Sequence, residues 1–85
     1  MESIIVTVTD LKKRYFYDVE IPTGVAVDKL GRDIVDTLNG YADGLHLDAA
    51  RTRLLCNRLG RQLLSEETAE TAGVWNGDYI TMIEV

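Results

Sequence analysis

The sequence has few of the side chains that carry out chemistry, with one histidine, one cysteine and one proline among 85 residues. The lone cysteine, Cys56, has no partner for a disulfide within the chain, which fits a reducing cytoplasm. Cys56 lies in an apolar segment and is predicted to be an inert core thiol, whereas His46 lies in a polar loop and is predicted at the surface. We therefore predict no catalytic, metal or cofactor site, and no enzyme activity.

Long apolar runs and a basic leader are also missing. No stretch approaches the roughly 20 apolar residues that a membrane-spanning helix needs, and Met1-Glu2-Ser3-Ile4 lacks the basic start of a signal peptide. The net charge of −5 disfavours binding to a phosphate backbone, which requires a clustered basic surface. These absences predict one small cytoplasmic domain, without nucleic-acid binding or membrane insertion.

The positive charge that is present is concentrated in one segment. Between residues 51 and 61 there is no acidic residue, and the segment holds four arginines: Arg51, Arg53, Arg58 and Arg61. Without them the remaining net charge is −9 rather than −5. Two interpretations stay open, a solvated face whose sign differs from its surroundings and a dock for an acidic partner surface.

Hydrophobic periodicity divides the first half of the chain into a hairpin and a helix. Alternation over Ser3–Thr9 and Arg14–Ile21 predicts two strands joined by a polar turn, the second ending at Pro22. Helical spacing predicts an amphipathic helix over Val27–Asn39 that stops at Gly40 and has no capping residue before it. Close packing against the sheet would explain Gly31 inside this helix.

The second half contains three further strands. The predicted elements are a loop over Tyr41–Ala50 with a turn at Asp43-Gly44, strands over Arg51–Asn57 and Arg61–Leu64, a helical turn over Glu67–Ala72 capped within Ser65–Thr68, an Asn76-Gly77 turn, and a last strand over Tyr79–Val85. The order β-β-α-β-β-β predicts a single two-layer α+β domain over residues 1–85, with the helix covering one face of the sheet.

The inward-facing positions predict a core that needs no metal or disulfide. It comprises Ile4, Val6, Val8, Tyr17, Val19, Val27, Leu30, Ile34, Leu38, Leu54, Cys56, Leu63, Val74, Ile80 and Met82. Full burial of one aliphatic or aromatic side chain contributes roughly 1.5–3 kcal/mol. A core of this size is sufficient for a marginally stable small domain.

Three segments resemble the ubiquitin-like β-grasp fold. They are Leu54-Leu55-Cys56, then Gly60-Arg61-Gln62-Leu63, then the run from Thr68 to Ile80 that contains Gly73-Val74 and Gly77-Asp78. The resemblance covers essentially the whole chain and implies a mixed sheet ordered 2-1-5-3-4, with parallel first and last strands at its centre. Ala69 stands where that fold usually has leucine, which implies a less firmly anchored turn.

A narrower resemblance lies in Ile21–Leu30 and Asp33–Leu38. These segments are similar to the YukD/EsaB group and to the cytosolic ubiquitin-like domain of EccD-type membrane proteins, which belong to bacterial type VII (ESX, WXG100) secretion systems. The resemblance implies a cytoplasmic, non-enzymatic protein-binding module whose partner is a secretion-machinery component. Self-association is left open.

Ubiquitin-like modifiers and sulfur carriers act through a C-terminal Gly-Gly tail that projects beyond the last strand. Here Val85 ends the last predicted strand with no Gly-Gly after it, so a non-conjugating role is expected. Two alternatives remain: a modifier or sulfur carrier whose tail is missing, and the excised cytosolic domain of an EccD-like membrane protein.

The sheet face that the helix leaves uncovered is the candidate binding surface. Alternation places Ile5, Phe16, Leu55 and Ile83 on this face, and Arg14, Arg53 and Thr81 lie among them. An apolar patch edged by arginine is typical of protein interfaces, whereas scattered exposed apolar residues need no explanation. Trp75, beside the Asn-Gly turn, is a second candidate anchor.

Overall fold

The computed structural model describes residues 2–41 and 45–85. In chain order it contains β1 (Ser3–Asp10), β2 (Phe16–Pro22), α1 (Val27–Tyr41), a 3₁₀ helix (Ala49–Arg51), β3 (Thr52–Cys56), β4 (Arg61–Gln62), α2 (Ala69–Ala72) and β5 (Tyr79–Glu84). The predicted turn at Asp43-Gly44 lies outside the described residues. The element order β-β-α-β-β-β is confirmed.

The five strands form one sheet in the order β2-β1-β5-β3-β4. β1 is antiparallel to β2 and parallel to β5, while β3 is antiparallel to both β5 and β4. This mixed sheet, with parallel first and last strands at its centre and α1 packed on one face, confirms the predicted α+β β-grasp architecture.

The strand boundaries differ from the predicted ones near the turns. β2 begins at Phe16 rather than Arg14, because Lys13 adopts a positive φ of 54° and the Arg14 N–H donates to the Asp10 carboxylate over 2.8 Å. Those contacts keep the chain in the turn for two more residues. β4 ends at Gln62 rather than Leu64, although the Leu63 N–H still donates to the Leu54 carbonyl over 2.8 Å.

Helix α1 begins where the periodicity predicts but ends later. The prediction that Gly40 stops it is wrong, because the helix continues to Tyr41, whose ring packs edge-on against Tyr17 with ring centroids 5.7 Å apart. At the other end, the Val27 N–H donates to the Glu67 carbonyl over 2.7 Å, and the next N–H donates to the Ser65 carbonyl over 3.0 Å. A distant loop therefore supplies the acceptors that a capping side chain would otherwise provide.

The short helix α2 begins at Ala69, two residues after the predicted start. Thr68 is its N-cap and forms a reciprocal capping box with Thr71, and Gly73 closes it in the left-handed conformation at φ 85°. Both caps satisfy backbone groups at the ends of this single turn. Ala69 itself is buried, with 1% of its surface exposed.

The core lies between α1 and the inner face of the sheet. Most of the predicted core is buried, but Ile4, Tyr17 and Val19 are only partly buried and pack against its margin. Tyr17 and Val19 belong to β2, the edge strand of the sheet that the structure describes, so solvent reaches their side chains. The observed core also includes four residues beyond the predicted set: Ile21, Val35, Ala69 and Ala72.

We expect the Gly31→Ala substitution to stabilise the protein by about 0.5–1 kcal/mol, since glycine inside a helix has an entropic cost relative to alanine. A Cβ at Gly31 would lie 3.9 Å from Leu54 Cδ1, an ordinary van der Waals contact, so close packing does not require the glycine. Urea unfolding measures the change. As a control, Gly77→Ala should destabilise, because Gly77 has a φ of +89°. A loss of stability in Gly31→Ala would contradict the expectation that a Cβ fits at this position without a clash.

Candidate interaction surface

The sheet face opposite α1, here called the outer face, carries the residues predicted from alternation. The register places Phe16 beside Thr9 and Thr81 beside Leu55, while Thr9 and Thr81 pair across the parallel β1–β5 ladder. These four side chains therefore form one row across the sheet. Because strands lie about 4.8 Å apart, Phe16 and Leu55 are separated by about 14 Å.

Two threonines occupy the centre of that row. Thr9 is 1% exposed and Thr81 is 7% exposed, although no helix covers this face. The Thr81 hydroxyl donates to Asn57 Oδ1 over 2.6 Å, which satisfies its polar atom. The row is therefore apolar at its two ends, Phe16 and Leu55, with a polar, close-packed strip between them. The outer face is not one continuous apolar patch.

On the β2 side of the strip, Phe16 contacts Tyr79, an aromatic residue outside the predicted set of surface residues. Its ring stands edge-on to Tyr79 with centroids 6.3 Å apart, and both residues are about half exposed, at 53% and 50%. Alternation along β5 could have placed Tyr79 on the outer face, because Tyr79 has the same parity as Thr81. Ile5, 51% exposed, lies farther along β1, with Thr7 between it and the row.

On the other side of the strip, Ile83 pairs with Arg53 across β5 and β3. Ile83 and Arg14 also line a cleft of about 210 Å³. Arg14 is ion-paired with Asp10. Burial acts to raise the pKa of the Asp10 carboxyl, but hydrogen bonds from Arg14 outweigh it and hold that pKa below its ordinary value. The structure thus places Ile83 beside Arg53 in the sheet and beside Arg14 at the cleft.

Trp75 belongs to a separate cluster at the turn before β5. Its ring is 63% exposed, and the Arg58 guanidinium carbon lies 3.7 Å from the ring centroid. Arg58 also donates two hydrogen bonds of 2.9 Å to the Asp78 carboxylate, which accepts a third from the Trp75 N–H over 2.8 Å. Trp75 is therefore exposed to solvent while its main chain and one ring face are held by Asp78 and Arg58.

Asp78 is the buried centre of this cluster, with 8% of its surface exposed. Hydrogen bonds from Arg58 hold the pKa of its carboxyl below the ordinary value, although burial opposes them. The Cys56 thiol lies 3.7 Å from Asp78 Oδ2 and is fully buried, as predicted for a core cysteine. His46 is exposed, also as predicted.

All four arginines of the basic segment bind groups of their own chain. Arg58 binds Asp78, and Arg61 forms a two-pronged contact with Glu67 in which both distances are 2.9 Å. Arg51 donates to the Val85 carbonyl over 2.6 Å, and Arg53 donates to main-chain carbonyls over 3.2 Å. Because each of these guanidinium groups already has an acceptor within the chain, the contacts disfavour the dock for an acidic partner surface. They also add a structural role that the solvated-face interpretation did not include.

We expect Glu67 to make the protein more sensitive to acid. Hydrogen bonds from Arg61 and from the Leu64 N–H lower the pKa of its carboxyl from 4.5 to about 2. A carboxyl with a lowered pKa in the folded state stabilises fully above its unfolded pKa, and that stabilisation is lost as the pH falls. The free energy of unfolding of the wild type should therefore fall relative to Glu67→Gln between pH 4.5 and about 2.

Urea unfolding at pH 6 and at pH 3 measures this difference. Arg61→Gln serves as the control, because it removes the donor and should flatten the same pH dependence. A constant difference between the wild type and Glu67→Gln over this range would contradict the role of the ion pair.

Two negative findings concern the described part of the chain. Within residues 2–41 and 45–85, no three histidine, cysteine, aspartate or glutamate side chains are grouped to hold a metal ion. Over the same residues, no helix is both long and apolar enough to cross a membrane.

The fold defines the class of protein, and comparison with solved structures supports it. The chain is similar to Caldiarchaeum subterraneum ubiquitin, with 20% identity and a TM-score of 0.76 over 99% of this chain and 95% of that one. It is also similar to the ubiquitin-like domain of an Arabidopsis thaliana protein, with 19% identity and a TM-score of 0.75 over 99% and 79% of the two chains. At this identity the likeness shows the ubiquitin-like fold alone.

The sequence itself shows the family. Residues 4–82 match the family described as "WXG100 protein secretion system (Wss), protein YukD", so the chain belongs to the YukD family. No curated protein matches the chain. Family membership confirms the resemblance seen in the sequence.

Proposed function

We propose that this chain is a non-conjugating ubiquitin-like protein-binding module, and that it is an accessory or regulatory component of a type VII (WXG100) secretion system. The observation that carries the proposal is the YukD family match over residues 4–82. The module acts in the cytoplasm, without a cofactor, by binding a protein of the secretion machinery.

The partner docks on the outer face of the sheet. Phe16 and Ile5 each expose about half of their surface there, at 53% and 51%, and Leu55 and Ile83 are partly exposed. Half-exposed apolar side chains on a hydrogen-bonded sheet lose little freedom on binding, which favours affinity. Arg14 and Arg53 lie at the edge of this surface, and Trp75 supplies a second anchor.

The module acts by non-covalent contact rather than by being joined to a target. Its last strand is held down at the end, because the Val85 N–H donates to the Arg51 carbonyl over 2.8 Å and the Val85 carbonyl accepts from the Arg51 side chain. These two contacts hold Val85 against the segment that leads into β3.

Co-purification tests the proposal. The tagged protein is recovered from the cytoplasm and membranes of its own cells, beside a Phe16→Asp, Leu55→Asp double variant. Buried charge at a docking surface is strongly unfavourable, so the double variant should lose the secretion-machinery proteins that the wild type recovers. Circular dichroism checks that both proteins fold.

The matched control places the same two negative charges elsewhere. Ala26→Asp, Ser65→Asp changes two exposed residues outside the sheet and should recover the same proteins as the wild type. Equal recovery by the Phe16→Asp, Leu55→Asp variant would exclude the outer face as the docking surface. Covalent adducts of the wild type at higher mass would overturn the non-conjugating role.

A further inference from the structure

Strand β2 is a free edge of the sheet. Among residues 2–41 and 45–85 its one neighbouring strand is β1, and it is seven residues long, whereas the opposite edge strand β4 has two residues. An unpaired edge of this length is a template onto which another extended chain can add.

The alternation of hydrogen-bonded pairs along β1 and β2 shows which backbone N–H and C=O groups of β2 do not bond to β1. The Thr23 N–H donates to the Glu2 carbonyl over 3.0 Å, which extends the β1–β2 register by one pair. Because hydrogen-bonded pairs alternate along an antiparallel ladder, the odd-numbered residues of β2 bond to β1. The N–H and C=O groups of Phe16, Asp18 and Glu20 therefore point away from the sheet.

A groove runs beside this edge, between β2 and α1. Its wider part, about 630 Å³, is lined by Leu38 and Tyr41 of the helix and by Tyr17 and Val19 of the strand. It also wraps around the edge of the sheet to Phe16, Asp18 and Tyr79 on the outer face. A second cleft continues it, sharing Val19 and Thr37 with the first. Alternate side chains of an added strand would enter this groove, where Leu38, Val19 and the tyrosine rings offer apolar contacts beside the polar Thr37.

The other side chains of an added strand would lie on the outer face, opposite Asp18 and Glu20. Neither carboxylate forms an ion pair with any residue that the structure describes. Their contacts are with hydroxyl groups, Thr7 donating to Asp18 and Ser3 donating to Glu20. These positions therefore favour basic side chains on the incoming strand.

The same carboxylates disfavour a second copy of this chain. In an antiparallel β2–β2 pairing centred on Asp18, that residue would face its own symmetry mate, and each copy carries a net charge of −5. Like charges directly opposite one another destabilise a sheet. The occupant that fits the edge is therefore a chemically different strand.

We propose that the β2 edge binds an extended, basic segment of a partner protein as an added antiparallel strand, with apolar side chains in the β2–α1 groove and basic ones beside Asp18 and Glu20. Strand addition of this kind draws its affinity from main-chain hydrogen bonds and its specificity from alternate side chains. The site adds to the protein-binding role proposed above and does not depend on the outer face.

A nine-residue peptide of alternating lysine and valine is the probe. On binding, hydrogen exchange of the Asp18 and Glu20 backbone amides should slow, because these N–H groups gain acceptors. A peptide with glutamate in place of lysine should not bind. Equal binding of the lysine and glutamate peptides, or unchanged exchange at both the Asp18 and Glu20 amides, would overturn the proposal. Asp18 and Glu20 would then serve only to prevent the β2 edges of two copies from pairing.

Variants of the protein separate the backbone from the charge. Asp18→Pro removes a free N–H without breaking a bond to β1 and should weaken binding by at least about tenfold. Asp18→Asn keeps that N–H and should weaken binding only a few-fold. Leu55→Asp, on the outer face, should bind the peptide unchanged even if it loses the partner recovered in cells. Wild-type affinity in a folded Asp18→Pro variant would overturn the proposal.

A modified peptide keeps the test valid if Asp18→Pro does not fold. In antiparallel addition the lysine N–H groups bond to β2 and the valine N–H groups point away. Methylation of the lysine backbone nitrogens should abolish binding to the wild type, and methylation of the valine nitrogens should be tolerated. Equal binding by both methylated peptides would exclude strand addition.

Discussion

Asp78→Ala should destabilise the protein by about 2–3 kcal/mol, because it removes a carboxylate that accepts charge-assisted hydrogen bonds from the partly exposed Arg58 and leaves the Trp75 N–H without its acceptor. Asp78 is 8% exposed and accepts from both Arg58 and the Trp75 N–H. Small domains are stable by about 5–15 kcal/mol in total, so the loss is a large fraction. The melting temperature should fall by roughly 10–20 °C.

Fluorescence of the single tryptophan, Trp75, follows the unfolding directly. Asp78→Asn keeps an oxygen for the Trp75 N–H but loses the charge, so its effect should be about half as large. Asp36→Ala, an exposed aspartate on α1, is the control and should lie within about 0.5 kcal/mol of the wild type. Equal losses in Asp78→Ala and Asp36→Ala would show that the cluster does not stabilise the fold.

The pH dependence gives the Asp78 assignment an independent check. The lowered pKa of this carboxyl stabilises the folded state above the ordinary aspartate value of 3.8, and the stabilisation is lost as the pH falls below it. The difference in free energy of unfolding between the wild type and Asp78→Asn should therefore shrink below that pH.

Ile80→Ala should cost about 3 kcal/mol, since removing a large aliphatic side chain from a packed core leaves a cavity. Ile80 is 1% exposed on the central strand β5, where it pairs with Val8 on one side and Cys56 on the other. Both partners are fully buried, so little relaxation of the surroundings is available to fill the space. Urea unfolding measures the change.

The matched control is three residues farther along the same strand. Ile83 has the opposite parity and is only partly buried, on the outer face. Ile83→Ala should therefore cost less than half as much as Ile80→Ala. Similar losses in the two variants would mean that α1 does not define which face of the sheet is the core.

Much of the fold could be predicted from the sequence because the side-chain periods are strong. Alternation in β1 and β5 and helical spacing in α1 identified the elements and their buried faces, and the Gly77-Asp78 motif indicated the ubiquitin-like class. The ends of the elements could not be predicted as well. α1 continues past Gly40 because Tyr41 gains a contact with Tyr17 in a different strand, which no local pattern contains.

For the candidate surface, too, part could be predicted from local pattern and part depends on contacts between distant strands. Alternation placed Ile5, Phe16, Leu55 and Ile83 on one face, since parity alone decides the face. Parity does not decide what lies between residues of different strands. The register puts Thr9 and Thr81 between Phe16 and Leu55, and it brings Tyr79 against Phe16.

The sequence by itself determined the class and the inner face of the sheet, because hydrophobic periodicity and turn residues act over a few neighbouring positions. Only the tertiary structure decided how the helix is capped and which edge is free. The Ser65 and Glu67 carbonyls reach the N-terminus of α1 from a loop nearly 40 residues later in the chain. The free N–H groups of β2 are free because the sheet order places that strand at its edge. Both facts depend on contacts between distant residues, and these form only when the whole chain folds.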